Sequence, residues 1–164
     1  MKKSMRLILD ANEYIFGLDL DSGQEASIRL LEIVGNLLQE PASCTLFVPK
    51  IIREEVQRNI APVFIGDFYR YITSVPGIVY GSLYDVPIDL FGKYCQIGMK
   101  QADATIAAFA DWVRADFLIS ENRHIYKNLK VDEFITCDAA KFIRLLDKGD
   151  LWQMIDARKT NPSH

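Results

Sequence analysis

The chain has 164 residues and a formal net charge of −3, and 49% of its residues are hydrophobic while 25% are charged. This length and composition are typical of a single domain with a hydrophobic core. The slight negative charge excludes a protein that holds nucleic acid by overall positive charge alone, so any such contact needs a local basic patch or metal ions.

The first half of the sequence alternates short apolar runs with helical patterns. The run RLIL (6–9) predicts a strand, and SIRLLEIVGNLLQE (27–40) repeats apolar residues at helical spacing. CTLFVP (44–49) predicts a second strand. The segments KIIREEVQRNI (50–60) and VFIGDFYRYITSV (63–75) predict two further helices.

The second half continues the alternation. In chain order we predict a brief strand in IVYG, a helix over 88–99, a helix over 101–115, a strand over 116–120, a short helix or turn in NRHIYKNL, a strand over 133–136 and a helix over 139–149. The strands are short and apolar without alternating polarity, which favours a parallel sheet covered on both faces. We therefore predict a three-layer α/β/α fold with a mostly parallel sheet, forming one domain over 1–150 and followed by a polar C-terminal tail over 151–164.

The sequence predicts a reduced, cytoplasmic protein. Its three cysteines, Cys44, Cys95 and Cys137, are widely spaced and indicate small core residues rather than disulfides or a zinc site. The opening MKKSMRLILD is not typical of a signal peptide, because its apolar run is short and Asp10 interrupts it. No segment approaches the roughly 20 apolar residues of a membrane span, so we expect no membrane contact.

Acidic residues stand at the ends of predicted strands and near the starts of predicted helices. Asp10 follows the first strand, Glu55 lies in the helix after the second, and Asp103 opens the helix before the strand FLIS. Glu121 and Asn122 follow that strand. Ligands of such folds bind outside the carboxyl ends of the strands, so we expect these residues to lie near a site.

Each of these residues also has a purely structural explanation. Asp10, Asp103 or Asn122 could cap or start a helix, and Glu55 could be a solvated helix residue. If the carboxylates instead converge, they repel each other and need protons or cations to neutralise them. Oxygen ligands suit Mg²⁺, which would support metal-assisted phosphodiester hydrolysis.

Four sequence blocks taken in order resemble a known family. They are LILDANEYI, VPKIIREEV, KQADATIAAFADWVRADFLISENRHI and KVDEFITCDAAKFIRLL, spanning about residue 6 to about residue 146. They resemble PIN-domain nucleases, particularly the toxin ribonucleases of toxin–antitoxin pairs. The third block carries most weight, since it matches the family's Asp-Ala-x-Ile-Ala-Ala helix and the strand that ends in a small hydroxyl residue.

The resemblance implies a PIN-like fold and an acidic site for Mg²⁺ or Mn²⁺ formed by Asp10, Glu55 and Asp103. It places Asn122 where the family often has a fourth acid, and it implies supporting roles for Ser120 and Asn12. Asn12 also becomes the expected residue at the start of the first helix.

At two positions of the implied site, more than one residue is a candidate. Glu54 and Glu55 point about 100° apart on a helix, so only one can face the site, and the spacing from Pro49 favours Glu55. Glu121 or Asp116 could supply the charge that Asn122 lacks. Asp116 is disfavoured because it begins its strand and so lies at the opposite edge of the sheet.

Basic residues near these blocks could bind RNA phosphates as a local patch, or could form an ordinary solvated face. The candidates are Arg53, Arg123, His124 and Lys127, with Lys50, Arg58 and Lys130 nearby. His124 is not favoured as a general base, because no nucleophile stands at a suggestive spacing. The aromatic residues of the middle segment, Phe64, Phe68, Tyr69, Tyr71 and Tyr84, are expected to pack in the core or at an interface.

The resemblance as a whole implies a metal-dependent endoribonuclease that is the toxin of a toxin–antitoxin pair, binds an antitoxin protein and forms a homodimer. One alternative is a catalytically weak PIN-like domain that binds RNA or protein. A second alternative is a phosphotransfer or phosphatase domain of similar topology, which would require a lysine at a strand end. The chain has neither GxxxxGK[ST] nor GxGxxG, which disfavours a nucleoside triphosphatase or a dinucleotide enzyme.

Overall fold

The computed structural model describes residues 4–40, 42–74, 76–81 and 86–160. In these ranges five strands form one all-parallel sheet in the order β3-β2-β1-β4-β5. The strands are β1 (Met5–Leu9), β2 (Cys44–Pro49), β3 (Ile78–Gly81), β4 (Phe117–Ile119) and β5 (Ile135–Cys137). The parallel sheet confirms the predicted three-layer α/β/α class.

Helices follow every strand except β3 closely in the chain. They are α1 (Ala11–Gly17), α2 (Glu25–Leu37), α3 (Lys50–Asn59), α4 (Ile65–Thr73), α5 (Ile88–Gln96), α6 (Gln101–Trp112), α7 (Arg123–Tyr126), α8 (Ala139–Asp147) and α9 (Leu151–Thr160). A 3₁₀ turn, Pro62–Phe64, precedes α4, so the helix predicted over 63–75 is divided at its start. No helix in the described ranges combines the length and apolarity needed to cross a bilayer.

The central strand β1 explains why the strand sequences are mostly apolar and do not alternate with polar residues. Leu7 pairs with Leu46 of β2 and with Phe117 of β4, so β1 has a neighbour on each side. Leu7, Ile8 and Leu9 are fully buried, which shows that both faces of the strand are covered. A strand buried on both faces has no solvent-facing positions and therefore shows no alternation of polar residues.

Helix α1 begins one residue earlier than the sequence suggested. Asp10 is its N-cap, and the Asp10 carboxylate accepts a hydrogen bond of 2.8 Å from the Ala11 amide. The expectation that Asn12 starts this helix is therefore wrong. At the other end of α1, Gly17 lies against α2, where a Cβ atom would come within 2.7 Å of the Ser27 carbonyl oxygen.

The C-terminal region differs most from the sequence prediction. Residues 151–160 form helix α9 rather than a tail, and Leu151 and Ile155 of this helix are buried. The four residues 161–164 lie outside the described residues. Helix α9 is thus a packed part of the fold, and the predicted tail is corrected over residues 151–160.

Two smaller expectations concern cysteines and aromatic residues. Cys44 and Cys137 are buried as predicted, but Cys95 is exposed and is not a core residue. Phe68 is buried and meets the Tyr14 ring edge-on at a centroid distance of 5.2 Å. Tyr84, which was grouped with Phe68 by sequence, lies outside the described residues.

Candidate functional site

Asp10 lies at the carboxyl end of the central strand and is almost fully buried, with 5% of its surface exposed. Its amide donates to the Ile119 carbonyl of β4, which ties the ends of the two strands together. The Oδ1 atom caps α1, and the Oδ2 atom accepts a hydrogen bond of 2.6 Å from the Ser120 hydroxyl. A carboxylate has more acceptor positions than these two donors use, so Asp10 can still bind a further donor or a cation.

Electrostatic effects on pKa link the three acids that the family resemblance implied. Burial raises the pKa of Asp10, two hydrogen bonds partly offset this, and the charge of Asp103 raises it further. Burial also raises the pKa of Glu55, with added repulsion from Asp10 and from Asp103 that Arg58 partly offsets. The pKa of Asp103 is raised by burial and lowered by His124 and Lys100. Asp103 therefore lies within electrostatic range of Asp10 and of Glu55, and Asp10 lies within range of Glu55.

The side chains of the two adjacent glutamates, Glu54 and Glu55, point in different directions from helix α3. Glu54 is about half exposed and forms an ion pair of 3.6 Å with Lys50, one turn earlier on the helix. Glu55 is the residue whose pKa responds to Asp10 and Asp103. Of this pair, Glu55 faces the acidic residues.

Ser120 and Asn122 are held in a chain of hydrogen bonds that starts at Asp10. The Ser120 hydroxyl, which is fully buried, donates to Asp10 and accepts from the Asn122 amide at 3.0 Å. The Asn122 side-chain oxygen accepts from the His124 amide at 3.0 Å and caps the short helix α7. The side-chain oxygen of Asn122 therefore caps a helix, which is the structural role that the sequence also allowed for this residue.

Asn12 and Glu121 link the neighbouring loops instead of pointing at Asp10. The Asn12 side-chain oxygen accepts from the Glu121 amide at 3.4 Å. Glu121 in turn accepts from the Ala139 amide at 3.0 Å, which anchors the start of α8. These contacts give Asn12 and Glu121 a positioning role at the carboxyl edge of the sheet.

The sequence analysis missed Glu13, a buried acid beside the site. Its side chain is fully buried, and its Oε2 atom accepts a hydrogen bond of 2.8 Å from the Ser27 hydroxyl. Burial raises the pKa of Glu13 well above its usual range, and a hydrogen bond and charge from Glu121 raise it further. Burial and the neighbouring acids therefore favour the protonated form of Glu13. The available signal was its position one helical turn after Asp10.

The basic residues predicted to contact RNA fall into two groups. Arg53 is engaged within the fold, because it donates to the Val48 carbonyl at 2.6 Å and lies over the Tyr80 ring. Arg123, His124 and Lys127 are exposed on and just after α7, and His124 is near enough to Asp103 to lower its pKa. A contact of either group with RNA stays a prediction.

Asp116 lies at the opposite, amino-terminal edge of the sheet, as its position before β4 predicted. It is buried, with 1% of its surface exposed, and it pairs with Arg158 at 2.9 Å and with Lys159 at 3.3 Å. Its second oxygen accepts from the Arg6 amide at 2.8 Å. Asp116 therefore joins α9 to the sheet and is not one of the acids at the candidate site.

The acidic residues offer the oxygen ligands that a hard cation favours, but as placed they do not form a complete metal site. Among the described residues, no group of three or more His, Cys, Asp or Glu side chains stands close enough to hold a metal ion as placed. The donors of Asp10, Glu55 and Asp103 are all carboxylate oxygens, which Mg²⁺ and Mn²⁺ favour. Glu55 and Asp103 are only partly buried, so both carboxylates are open to solvent.

Comparison with known proteins gives a likeness of fold. No sequence model of a protein family matches the chain, and no curated protein matches it. A chain from the crystal structure of VapBC2 from Rickettsia felis, bound to a DNA fragment from its promoter, superposes with a TM-score of 0.57. The match covers 82% of this chain and 98% of that chain at 14% sequence identity. At that identity the likeness shows the fold alone, and this fold is the PIN-like α/β/α fold that the sequence resemblance predicted.

Proposed function

We propose that this chain is a metal-dependent endoribonuclease that hydrolyses RNA phosphodiester bonds at Asp10, Glu55 and Asp103. The observation that carries the proposal is that the charge of Asp103 raises the pKa of Asp10, and that both of these acids raise the pKa of Glu55, at the carboxyl edge of a PIN-like sheet. Acids that repel one another in a partly buried site are stabilised when a cation joins them. The fold shared with a chain of a VapBC2 complex further supports a toxin of a toxin–antitoxin pair.

In this proposal Asp10, Glu55 and Asp103 hold Mg²⁺ or Mn²⁺. When bound, such an ion neutralises charge on the attacked phosphate and lowers the pKa of the attacking water. Ser120 orients the Asp10 carboxylate, and its hydroxyl hydrogen bond favours the charged form of Asp10.

Cations beside Asp103 attract the RNA backbone in an otherwise acidic protein. Lys100 and His124 both lower the pKa of Asp103, so both lie close to it. Arg123 and Lys127 extend this positive surface along α7. Such a local patch positions phosphates without reading their sequence. An antitoxin protein as a partner and a homodimer as the assembly belong to the same proposal.

One observation favours a second candidate, a PIN-like domain that binds RNA or protein without efficient cleavage. Asn122 brings no charge, and its side-chain oxygen is used to cap α7. The site then has three acids where the resemblance implies that many members have four. A weaker acidic site holds its cation less tightly, which would reduce turnover and leave binding intact.

Cleavage of structured and single-stranded RNA by the purified protein, with Mn²⁺, with Mg²⁺ and with chelator, tests the proposal. We expect metal-dependent cleavage that Asp10→Asn abolishes and Glu55→Gln reduces strongly. Glu54→Gln is the matched control, because Glu54 carries the same charge on the same helix but pairs with Lys50. Cleavage that survives both chelator and Asp10→Asn would overturn the acidic-site mechanism. RNA binding without cleavage would favour the second candidate.

A further inference from the structure

A cavity of about 300 Å³ opens directly beside the acidic site. It lies between the start of α6 and helix α7, and Asp103 forms part of its wall. Its other lining residues include Ile97, Met99, Lys100, His124, Asn128 and Leu129. The cavity therefore shares one residue with the proposed catalytic site and extends away from it.

The walls of this cavity combine apolar surface with a flat ring and an amide. Leu129 is buried at its base, with 3% of its surface exposed, and Met99 is half-buried. On the other side, Asn128 Nδ2 lies 3.5 Å from His124 Nδ1, and both side chains are exposed to an incoming ligand. A nucleobase needs this combination, because it has an apolar face that stacks on rings and an edge that exchanges hydrogen bonds with amides.

The position of the cavity relates it to a phosphate in the acidic site. His124 and Lys100 line the cavity and also act electrostatically on Asp103. A phosphate drawn to Lys100, beside Asp103, would therefore place its attached nucleoside at the mouth of the cavity. Within a duplex the base would be paired and stacked and could not enter, so the ligand must be an unpaired nucleotide.

We propose that this cavity is a nucleobase subsite that binds one unpaired base of the RNA next to the scissile phosphate, with Asn128 contacting the base edge. This inference rests on the proposed function. It makes the substrate single-stranded RNA, such as a loop or an end, and it makes Asn128 a specificity-determining residue.

The test measures binding of short RNAs to the full-length Asp10→Asn protein with Mn²⁺ present. Fluorescence anisotropy gives the affinity of single-stranded rA, rC, rG and rU hexamers, and the tightest hexamer is then remade with one abasic nucleotide at each position in turn. We expect one abasic position to weaken binding roughly tenfold or more, as the loss of a stacked base does. The other positions should change affinity much less.

Asn128→Ala should bring the intact and abasic hexamers to similar affinities. Asn36→Ala is the matched control, because Asn36 is an exposed asparagine on α2, away from this cavity. Asn128 is itself exposed, so both variants should melt at the temperature of the parent protein. Tight binding that no abasic position weakens, or a base dependence that Asn128→Ala leaves intact, would overturn the subsite.

Cleavage by the wild-type protein, measured in parallel, separates failure of the subsite from failure of the proposed function. If the wild type cleaves RNA but binding shows no dependence on the base, the subsite is wrong and the nuclease proposal stands. If the wild type neither cleaves nor binds any RNA, both proposals fail.

Discussion

Replacing Ser120 by alanine tests whether the ionisation of Asp10 controls activity. The Ser120 hydroxyl donates to Asp10 Oδ2 at 2.6 Å in a fully buried position, and the substitution removes only this oxygen. Because the bond favours the charged carboxylate, its loss should raise the pKa of Asp10 above the already raised value.

The size of the effect follows from the type of hydrogen bond. A bond to a charged group contributes roughly 1.5–3 kcal/mol, which corresponds to roughly a ten- to hundredfold change in an equilibrium. We therefore expect Ser120→Ala to cleave RNA more slowly on the acid side of the pH–rate profile, by roughly ten- to hundredfold where Asp10 is protonated in both proteins. The deficit should shrink as pH rises, because the weakened Asp10 carboxylate is then ionised in both proteins.

Cleavage rates across a range of pH, with melting temperatures for each protein, measure this effect. Ser27→Ala is the matched control, because it also removes a buried serine-to-carboxyl hydrogen bond, of 2.8 Å, but from Glu13. Both variants should melt at a lower temperature, and only Ser120→Ala should move the acid limb of the pH–rate profile upward. An unchanged profile for Ser120→Ala, or an equal shift in the control, would refute the assigned role of Asp10 ionisation.

Two further predictions concern buried acids on either edge of the sheet. Asp116→Ala should lower the free energy of unfolding by about 3–5 kcal/mol, because it removes the carboxylate that pairs with Arg158 and Lys159 of α9. Urea unfolding measures this loss, and a curve that matches the wild type would contradict the prediction. Glu13 has a folded-state pKa above its ordinary value of 4.5, so the folded state binds the proton more tightly and wild-type stability should fall as pH rises above about 4.5. Glu13→Gln should flatten this fall in urea unfolding at a series of pH values, and a slope equal to that of wild type would show that Glu13 does not carry the proton.

The sheet was predictable from the sequence because its central strands are largely buried on both faces. Runs such as CTLFVP and RLIL are mostly apolar, and the alternation with helical patterns then implies parallel pairing. The candidate acids were predictable in part for the same reason, since the carboxyl ends of parallel strands mark the edge where sites form.

The start of α1 could not be chosen locally, since Asp10 and Asn12 both suit an N-cap. The choice is made by tertiary pairing. The Asp10 amide bonds to the Ile119 carbonyl of β4, which keeps Asp10 in an extended conformation with φ −65° and ψ 158°. The helix can therefore begin only at Ala11.

The packing of helix α9 and the burial of Glu13 also could not be predicted from the local sequence. The side chain that fixes α9 is Arg158, and its partner Asp116 lies 42 residues earlier in the chain. The burial of Glu13 likewise depends on Ser27 and Glu121, which no local pattern connects to it. Contacts over such separations are set by the assembled fold rather than by residue spacing.

Buried acids have different partners at the two edges of the sheet, and this difference bears on function. At the amino edge, Asp116 is neutralised by Arg158 and Lys159 of the same chain. At the carboxyl edge, the donors that Asp10 meets among the described residues are neutral, namely the Ala11 amide and the Ser120 hydroxyl, and its acidic neighbour Asp103 raises its pKa. Keeping a buried carboxylate without a cationic partner costs stability, so a fold that needed Asp10 only as a helix cap would gain from a neutral residue such as serine or asparagine there. In the proposed function, this cost is offset by the cation that Asp10, Glu55 and Asp103 would hold.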